Sequence, residues 1–331
     1  MGEKAIRTLF LEDRRYPPLP DFAEHANAKP DIYEVPFDEF WEREGRERVT
    51  WFEPFSSLLE WELPYARWYV EGKLNVAYNC LDRHVDAGRG DRVAFFYEAE
   101  PVGERAAITY AQLLEEVVKA ANGLKALGVG KGTPVGIYMG MGPGLPVAML
   151  ACARIGAPFT VVFGGFSADS LADRLNDMRC EVLLTQDEGY RRGQIVALKQ
   201  HADEALVSSP TVRRVVVGQR TRGDVPMTPG RDIMWSELVE GQLSDPASCP
   251  CEPMDSEDLL YLLYTSGTTA KPKGIVHTTA GYLVGVATTH HYVFDLKPDT
   301  DVYWCAADIG WVTGHSYIVF GPLANGATSV L

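Results

Sequence analysis

The chain has 331 residues, of which 46% are hydrophobic, so it is long enough to bury a sizeable core. Its 45 acidic residues outnumber its 31 basic residues, which gives a net charge of −14. Nucleic acids and anionic membranes bind clustered excess Lys and Arg, so this charge balance argues against both as partners.

The first 90 residues are rich in aromatic and charged side chains and lack the alternation typical of a β-strand. Residues 1–20 mix charged with apolar residues and therefore do not form a signal peptide. We expect residues 1–90 to form a helical extension whose aromatic side chains pack onto the body of the protein. These side chains are Trp41, Trp51, Phe52, Trp61, Trp68 and Tyr69.

Residues 91–250 alternate between strand and helix patterns. Thr109 and Gln112 have the spacing of a capping box, which predicts a helix that begins there and ends at Gly128. Such a succession predicts an α/β fold, with parallel sheets flanked by helices and right-handed crossovers. The predicted strands are 134–139, 159–163, 181–184 and 214–217, and the predicted helices lie near 147–155 and after Ser167.

The apolar run 137–153 could be mistaken for a membrane span. Glycines and prolines between residues 140 and 146 interrupt it, so a strand, a turn and a buried helix account for it better. Residues 140–145 also resemble a dinucleotide-binding fingerprint superficially. Leu145 stands where the final glycine belongs, which favours a plain turn.

The six cysteines are scattered along the chain, which favours a reducing cytoplasm over a disulfide framework. Cys249 and Cys251 have one residue between them and no second pair nearby, so an ordinary loop is favoured over a zinc site. The adjacent His290 and His291 cannot share a helix face and do not indicate a metal site.

Residues 251–331 contain the strongest functional signal, a loop that follows the buried strand 259–263. Backbone N–H groups in a glycine-containing turn can form an anion nest, to which hydroxyls add donors and lysines add charge. The pattern predicts a polyphosphate cradle. Its candidate residues are Thr265, Ser266, Gly267, Thr268, Thr269, Ala270, Lys271 and Lys273.

Two other interpretations of this loop are weaker. No Gly-Lys-Ser or Gly-Lys-Thr follows the turn, so a Walker A ATPase is disfavoured. A plain surface turn would not need an apolar strand, four hydroxyls and a Lys-Pro-Lys exit together. Beyond the loop we expect a strand at 275–277, a helix from about Ala280, a strand at 302–305 and a βα turn before Trp311.

The loop resembles the phosphate loop of the adenylate-forming superfamily, which reads Ser/Thr-Gly-Ser/Thr-Thr-Gly-x-Pro-Lys-Gly. Within that superfamily the chain is similar to the AMP-forming acetyl-CoA synthetases, and the resemblance extends from about Tyr33 to Leu331. The other stretches that carry it are 51–52, 68–75, 148–157, 162–167, 303–305 and 310–317.

The resemblance implies an acetyl-CoA synthetase-type extension (residues 1–90) and two α/β AMP-binding subdomains (91–250 and 251–331). It also implies a reaction in which a small carboxylate attacks the α-phosphate of Mg·ATP, and the thiol of coenzyme A (CoA) then displaces AMP. Acetate is the favoured acid, with propionate or another short-chain acid as the alternative. A non-catalytic nucleotide- or CoA-binding module is the alternative from another class.

The resemblance further implies which residues bind CoA and the acyl group. Paired arginines could hold the 3′-phosphate of CoA through forked hydrogen bonds, although an exposed pair is more often a solvated loop. An indole beside small Val and Thr would shape a slot for a short acyl chain, although Trp311 could simply be a packed aromatic. The CoA residues are Arg191, Arg192, Gly193, Gln194, Gly164, Gly165 and Thr313, and the acyl residues are Trp311, Val312 and Thr313.

The sequence departs from the family pattern at four positions. Ala270 replaces a glycine of the phosphate loop, which costs about 1 kcal/mol if that position needs a positive φ. Gly140 stands where the family has Pro, and Gly144 where it has Glu. Gln194 replaces a basic residue of some members and would weaken the phosphate clamp.

The run 327–331 is strand-like, so we expect the chain to stop inside a domain. The resemblance implies that the adenine-binding segment and a C-terminal domain with the catalytic lysine would lie beyond Leu331. We therefore expect this polypeptide alone to complete neither half-reaction. Acetate-dependent exchange of pyrophosphate into ATP by the isolated chain would contradict that expectation.

Overall fold

The N-terminal region combines helices with a small hairpin. The computed structural model, which describes residues 14–265 and 272–331, places helix α1 at Pro20–His25 and helix α2 at Phe37–Arg48. Strand β1 (Ser57–Glu62) pairs antiparallel with β2 (Tyr65–Val70), and the short strand β3 (Lys73–Leu74) follows. The sequence predicts helices alone here, and the hairpin corrects that prediction. Most of the hairpin residues are exposed, so no face of it imposes an apolar–polar alternation on the sequence.

Four of the six N-terminal aromatics pack onto the main core as predicted, since Tyr69 is buried in it and Trp41, Trp51 and Trp68 are partly buried against it. The rings of Trp51 and Tyr69 lie 5.6 Å apart, and those of Trp41 and Trp68 lie 6.3 Å apart. Trp61, in the hairpin, is 63% exposed, so the prediction is wrong for that residue.

The largest sheet has seven strands, six of them parallel. In spatial order its strands are β12 (Asp232–Met234), β11 (Arg214–Gly218), β8 (Val182–Gln186), β6 (Val135–Tyr138), β7 (Phe159–Val161), β14 (Leu259–Thr265) and β15 (Lys273–Thr278). Only β15 runs antiparallel to its neighbour. All four strands predicted between residues 134 and 217 belong to it, which confirms the parallel α/β architecture.

Helices cover both faces of this sheet: α3 (Tyr110–Ala126), α4 (Gly144–Arg154), α5 (Ala168–Met178), α6 (Leu198–Leu206) and α7 (Trp235–Val239). On one face α3 contacts α4 and α7, and these helices share a core with Leu184 and Val216. On the other face α5 contacts α6, above a second cluster that contains Leu183 and Val217. Neighbouring residues of one strand thus serve opposite faces.

The capping box before α3 is present as predicted. The Thr109 hydroxyl accepts from the Gln112 N–H at 3.2 Å, and the Gln112 side chain accepts from the Thr109 N–H at 3.0 Å. Gly128 has φ +87° just past the end of the helix, a conformation that suits glycine. The local sequence therefore fixes both ends of α3.

The apolar run 137–153 forms the end of β6, a turn and the buried helix α4, as predicted. Residues 140–145 make the turn and the start of α4. Within residues 14–265 and 272–331, no helix combines the length and the apolar character needed to cross a membrane.

A second sheet of four strands has the order β16-β17-β4-β5. It consists of β4 (Val93–Glu98), β5 (Arg105–Thr109), β16 (Val302–Trp304) and β17 (Thr328–Val330). Both sheets contain strands from before and after residue 250, so the predicted boundary there does not coincide with a boundary between sheets. The limits of the subdomains stay a prediction. Helix α8 (Thr279–Tyr292) confirms the helix expected near Ala280.

The carboxyl ends of β6, β7, β8 and β14 meet at one edge of the seven-stranded sheet, since these strands are parallel. After β6 the chain enters α4 on one face, whereas after β8 it enters α6 on the other. Adjacent strands whose connections leave to opposite faces open a crevice, which is where α/β proteins bind ligands. The candidate site lies at this edge.

Candidate functional site

A cavity of about 140 Å³ lies at the carboxyl edge of the sheet. Three of the predicted CoA residues line it: Gly164 and Gly165 from the loop after β7, and Arg191 from β9. Glu100 and Asp308, which the sequence did not single out, line it as well. Strands β9 (Gly189–Arg191) and β10 (Gln194–Val196) form a hairpin between β8 and α6.

Gly165 leaves room for the Arg191 side chain. A Cβ atom at Gly165 would lie 2.4 Å from Arg191 Nη1 and 2.7 Å from Phe163 Cε1, closer than real contacts. The Arg191 guanidinium sits over the Phe163 ring, 4.5 Å from its centroid. A side chain at position 165 would therefore displace the guanidinium from its aromatic support.

Trp311 packs beside Phe163, the ring that supports Arg191. Its ring lies 5.8 Å from Phe163 and 6.0 Å from Phe166, so the predicted acyl residue packs against the neighbours of Gly164 and Gly165. Trp311 and Val312 are 46% and 47% exposed, and Thr313 is exposed too. The three residues do not enclose a slot within the part of the chain that is described, and the acyl pocket stays a prediction.

Asp308 faces Arg191 in the cavity. Burial raises the pKa of the Asp308 carboxyl, while the Gly310 N–H, which donates to Oδ1 at 2.7 Å, and the charge of Arg191 oppose that increase. The carboxylate partly offsets the charge of Arg191. Nothing in the sequence around residue 308 indicates that Asp308 lies near Arg191, because the two residues belong to segments far apart in the chain.

The tip of the β9–β10 hairpin is a two-residue turn in which Arg192 and Gly193 have φ values of 53° and 72°. Their backbone N–H groups both donate to the Glu100 carboxylate, the first at 3.0 Å. The side chains of Arg192 and Gln194 are exposed. Only Arg191 of the predicted arginine pair lines the cavity, and the forked phosphate clamp stays a prediction.

The predicted phosphate loop leaves the same edge of the sheet. Thr265 ends β14 and faces Lys273, the first residue of β15, in the antiparallel register, and both residues are exposed. Next to them the Tyr264 hydroxyl donates to Asp177 Oδ2 at 2.8 Å, which ties the base of the loop to α5. The other predicted phosphate-binding residues lie outside the described residues: Ser266, Gly267, Thr268, Thr269, Ala270 and Lys271.

Metal ligands are not grouped in the described ranges. No three or more His, Cys, Asp or Glu residues lie there in an arrangement that could hold a metal ion. The described residues thus supply no clustered ligand set for Mg²⁺.

Two family profiles match the chain. The profile described as "AMP-binding enzyme" matches residues 81–331, and the profile "Acetyl-coenzyme A synthetase N-terminus" matches residues 35–80. The chain belongs to the AMP-binding enzyme family. The acetyl-CoA synthetase resemblance and the mixed α/β fold predicted from the sequence are thereby confirmed.

Curated relatives of the chain are named acetyl-coenzyme A synthetase. The protein from Rubrobacter xylanophilus is 54% identical over 322 residues, which are 96% of this chain and 49% of the relative. The protein from Streptomyces avermitilis is 52% identical over 335 residues, which are 100% of this chain and 51% of the relative. The chain thus spans about half the length of these relatives.

Gly314 provides a test of the backbone packing around the site. A Cβ atom there would lie 2.2 Å from the Asp308 carbonyl oxygen and 2.4 Å from Ile309 Cα, which are backbone atoms that cannot rotate away. We expect Gly314→Ala to lower the free energy of unfolding by at least about 2 kcal/mol in a urea titration. Gly285→Ala, in α8 with no atom within 4 Å of the new Cβ, should cost nothing. An equal stability of the two variants would contradict the prediction.

Proposed function

We propose that this chain supplies ATP- and CoA-binding surfaces of an AMP-forming acetate–CoA ligase. In this reaction the acetate carboxylate attacks the α-phosphate of Mg·ATP, which yields acetyl adenylate and releases pyrophosphate. The CoA thiol then attacks the acyl carbon, AMP leaves, and acetyl-CoA forms. Because the chain spans about half the length of its relatives, the activity of the whole protein is part of the proposal.

One observation carries the proposal. One cavity is lined by three residues that the family pattern assigns to CoA: Gly164, Gly165 and Arg191. It lies at the edge of the sheet at which β14 ends and the predicted phosphate loop begins. Residues distant in the sequence thus meet where α/β proteins bind ligands. The names of the curated relatives favour acetate over propionate.

The cavity offers one cation, Arg191, beside the carboxylates of Glu100 and Asp308. Arg191 offers a charged planar donor set that suits phosphate, and packing on Phe163 restrains it. Gly165 leaves the room that the Arg191 guanidinium occupies, which a side chain there would take. CoA would supply the thiol nucleophile, and Arg191 would hold one of its phosphates.

The remaining roles rest on the family pattern. Thr265, Lys273 and the loop between them would hold the β- and γ-phosphates of ATP and stabilise the leaving pyrophosphate. Mg²⁺ would arrive with the nucleotide. Trp311, Val312 and Thr313 would border the acetyl group, with Thr313 beside the thioester.

Arg191→Ala tests the proposal in this chain. We expect the dissociation constant for CoA, measured by isothermal titration calorimetry, to rise by about 10- to 100-fold, the typical effect of losing a charge-assisted phosphate contact. Arg213→Ala is the matched control, because Arg213 is 72% exposed and pairs with Glu181 away from the cavity. CoA affinity that is unchanged in Arg191→Ala, or reduced equally in both variants, would refute the assignment.

A further inference from the structure

The carboxylate of Glu100 binds the backbone at the tip of the β9–β10 hairpin. One carboxylate oxygen accepts from the Arg192 N–H at 3.0 Å and the other accepts from the Gly193 N–H. Glu100 lies between β4 and β5, in the other sheet, so the contact joins two separate parts of the fold. No salt bridge to Glu100 is present within the described ranges, and the residue is exposed.

The backbone conformation of the hairpin tip allows it to bind an anion. Arg192 and Gly193 both adopt positive φ, which turns two consecutive N–H groups toward the same point. Both oxygens of one carboxylate are bound there, a geometry that two phosphate oxygens can adopt as well. Arg191, directly before the turn, lines the same cavity as Glu100.

We propose that Glu100 fills this anion site when no ligand is bound and that the 3′-phosphate of CoA displaces it. The inference rests on the proposed CoA site. A carboxylate and a phosphate cannot share two N–H donors, because like charges at contact repel and each N–H donates one strong bond. Glu100 is exposed, so once released it is hydrated at little cost.

This competition lowers the affinity of the chain for CoA. Ligand binding must first break two charge-assisted hydrogen bonds of Glu100, and it must also overcome repulsion from the carboxylate. Glu100→Gln removes the charge and weakens the internal contact while it preserves the size of the side chain. We expect this variant to bind CoA about tenfold more tightly.

The experiment compares the wild-type chain with Glu100→Gln and Glu98→Gln, using CoA and dephospho-CoA in isothermal titration calorimetry. Glu98 is the matched control, since it is exposed and pairs with Arg105 instead of the hairpin. Tighter binding only for Glu100→Gln and only with CoA supports the proposal. Equal tightening in Glu98→Gln or with dephospho-CoA overturns it, and so does weaker CoA binding by Glu100→Gln, which would make Glu100 an anchor of the hairpin.

Hydrogen exchange separates this inference from the proposed function. In the ligand-free wild-type chain the Arg192 and Gly193 amides should exchange several-fold more slowly than in Glu100→Gln. Identical exchange overturns the inference whether or not CoA binds. Failure of every variant to bind CoA would instead contradict the proposed function.

Discussion

Acidification from pH 7 to pH 5 is expected to lower the free energy of unfolding by about 6 kcal/mol through three buried histidines. Burial, with nearby Arg83 and Arg89, lowers the pKa of His84 to about 3, and burial lowers the pKa values of His290 and His315 to about 4. In the unfolded chain each pKa is about 6.5. Below pH 6.5 the unfolded state therefore binds more protons than the folded state, and each histidine contributes about 2 kcal/mol at pH 5.

The contacts of the three histidines explain why their protonation is unfavourable in the folded state. The His84 Nε2–H donates to the Leu323 carbonyl at 2.8 Å, while Nδ1 accepts from Arg89 at 2.7 Å and would lose that role on protonation. The Nε2 atoms of His290 and His315 are buried without a hydrogen-bond partner among the described residues. A proton there would place an unpaired charge in the core.

Urea titrations at pH 7, 6 and 5 measure this effect. The contribution of the three histidines to the free energy of unfolding should be fully present above pH 6.5. Below that pH the free energy of unfolding should fall, with a slope that approaches the uptake of three protons on unfolding. His84→Asn, which cannot ionise, should reduce the slope by about one proton. A free energy of unfolding that is constant or rising from pH 7 to pH 5 would disprove the histidine argument.

Replacing Arg154 by Met is expected to lower the free energy of unfolding by about 3–5 kcal/mol. The Arg154 side chain is 1% exposed, and its Nη1 contacts both Asp82 carboxylate oxygens, at 3.0 and 2.8 Å. Its Nε also donates to the Cys249 carbonyl at 2.7 Å. The substitution leaves the Asp82 carboxylate, whose side chain is 9% exposed, buried and without its cation.

The double variant Arg154→Met/Asp82→Leu identifies the cause of the loss. If the orphaned carboxylate is responsible, the double variant should recover most of the stability that Arg154→Met loses. Arg67→Met provides a surface control, because the Arg67–Glu60 pair is about half exposed at both ends and should contribute less than about 1 kcal/mol. Equal losses in the buried and surface variants, measured by urea titration, would rule out the buried-charge explanation.

The sequence predicts those parts of the fold that short segments determine. Thr109 and Gln112 specify the start of α3, and the apolar run 259–263 specifies most of β14. The β1–β2 hairpin does not follow from the sequence pattern because its mostly exposed strands, with Trp61 facing solvent, lack an apolar face. The strand order likewise depends on pairing between distant segments.

The candidate site was predictable in its residue types but not in its contacts. Gly165 and Arg191 follow from the family pattern, whereas the support of Arg191 by Phe163 and the position of Asp308 depend on how three loops meet. The contact of Glu100 with the β9–β10 turn joins segments about ninety residues apart. A carboxylate in a loop carries no local sign of the N–H groups that it will meet.

The position of β17 between β16 and β4 determines when the smaller sheet can form during synthesis. Strand β4 leaves the ribosome long before β17, and until then it has only β5 beside it. Its other edge stays open to misplaced pairing with neighbouring nascent chains while the rest of the polypeptide is translated. Chaperone demand should therefore be greatest in the interval before residues 328–330 emerge and close the gap.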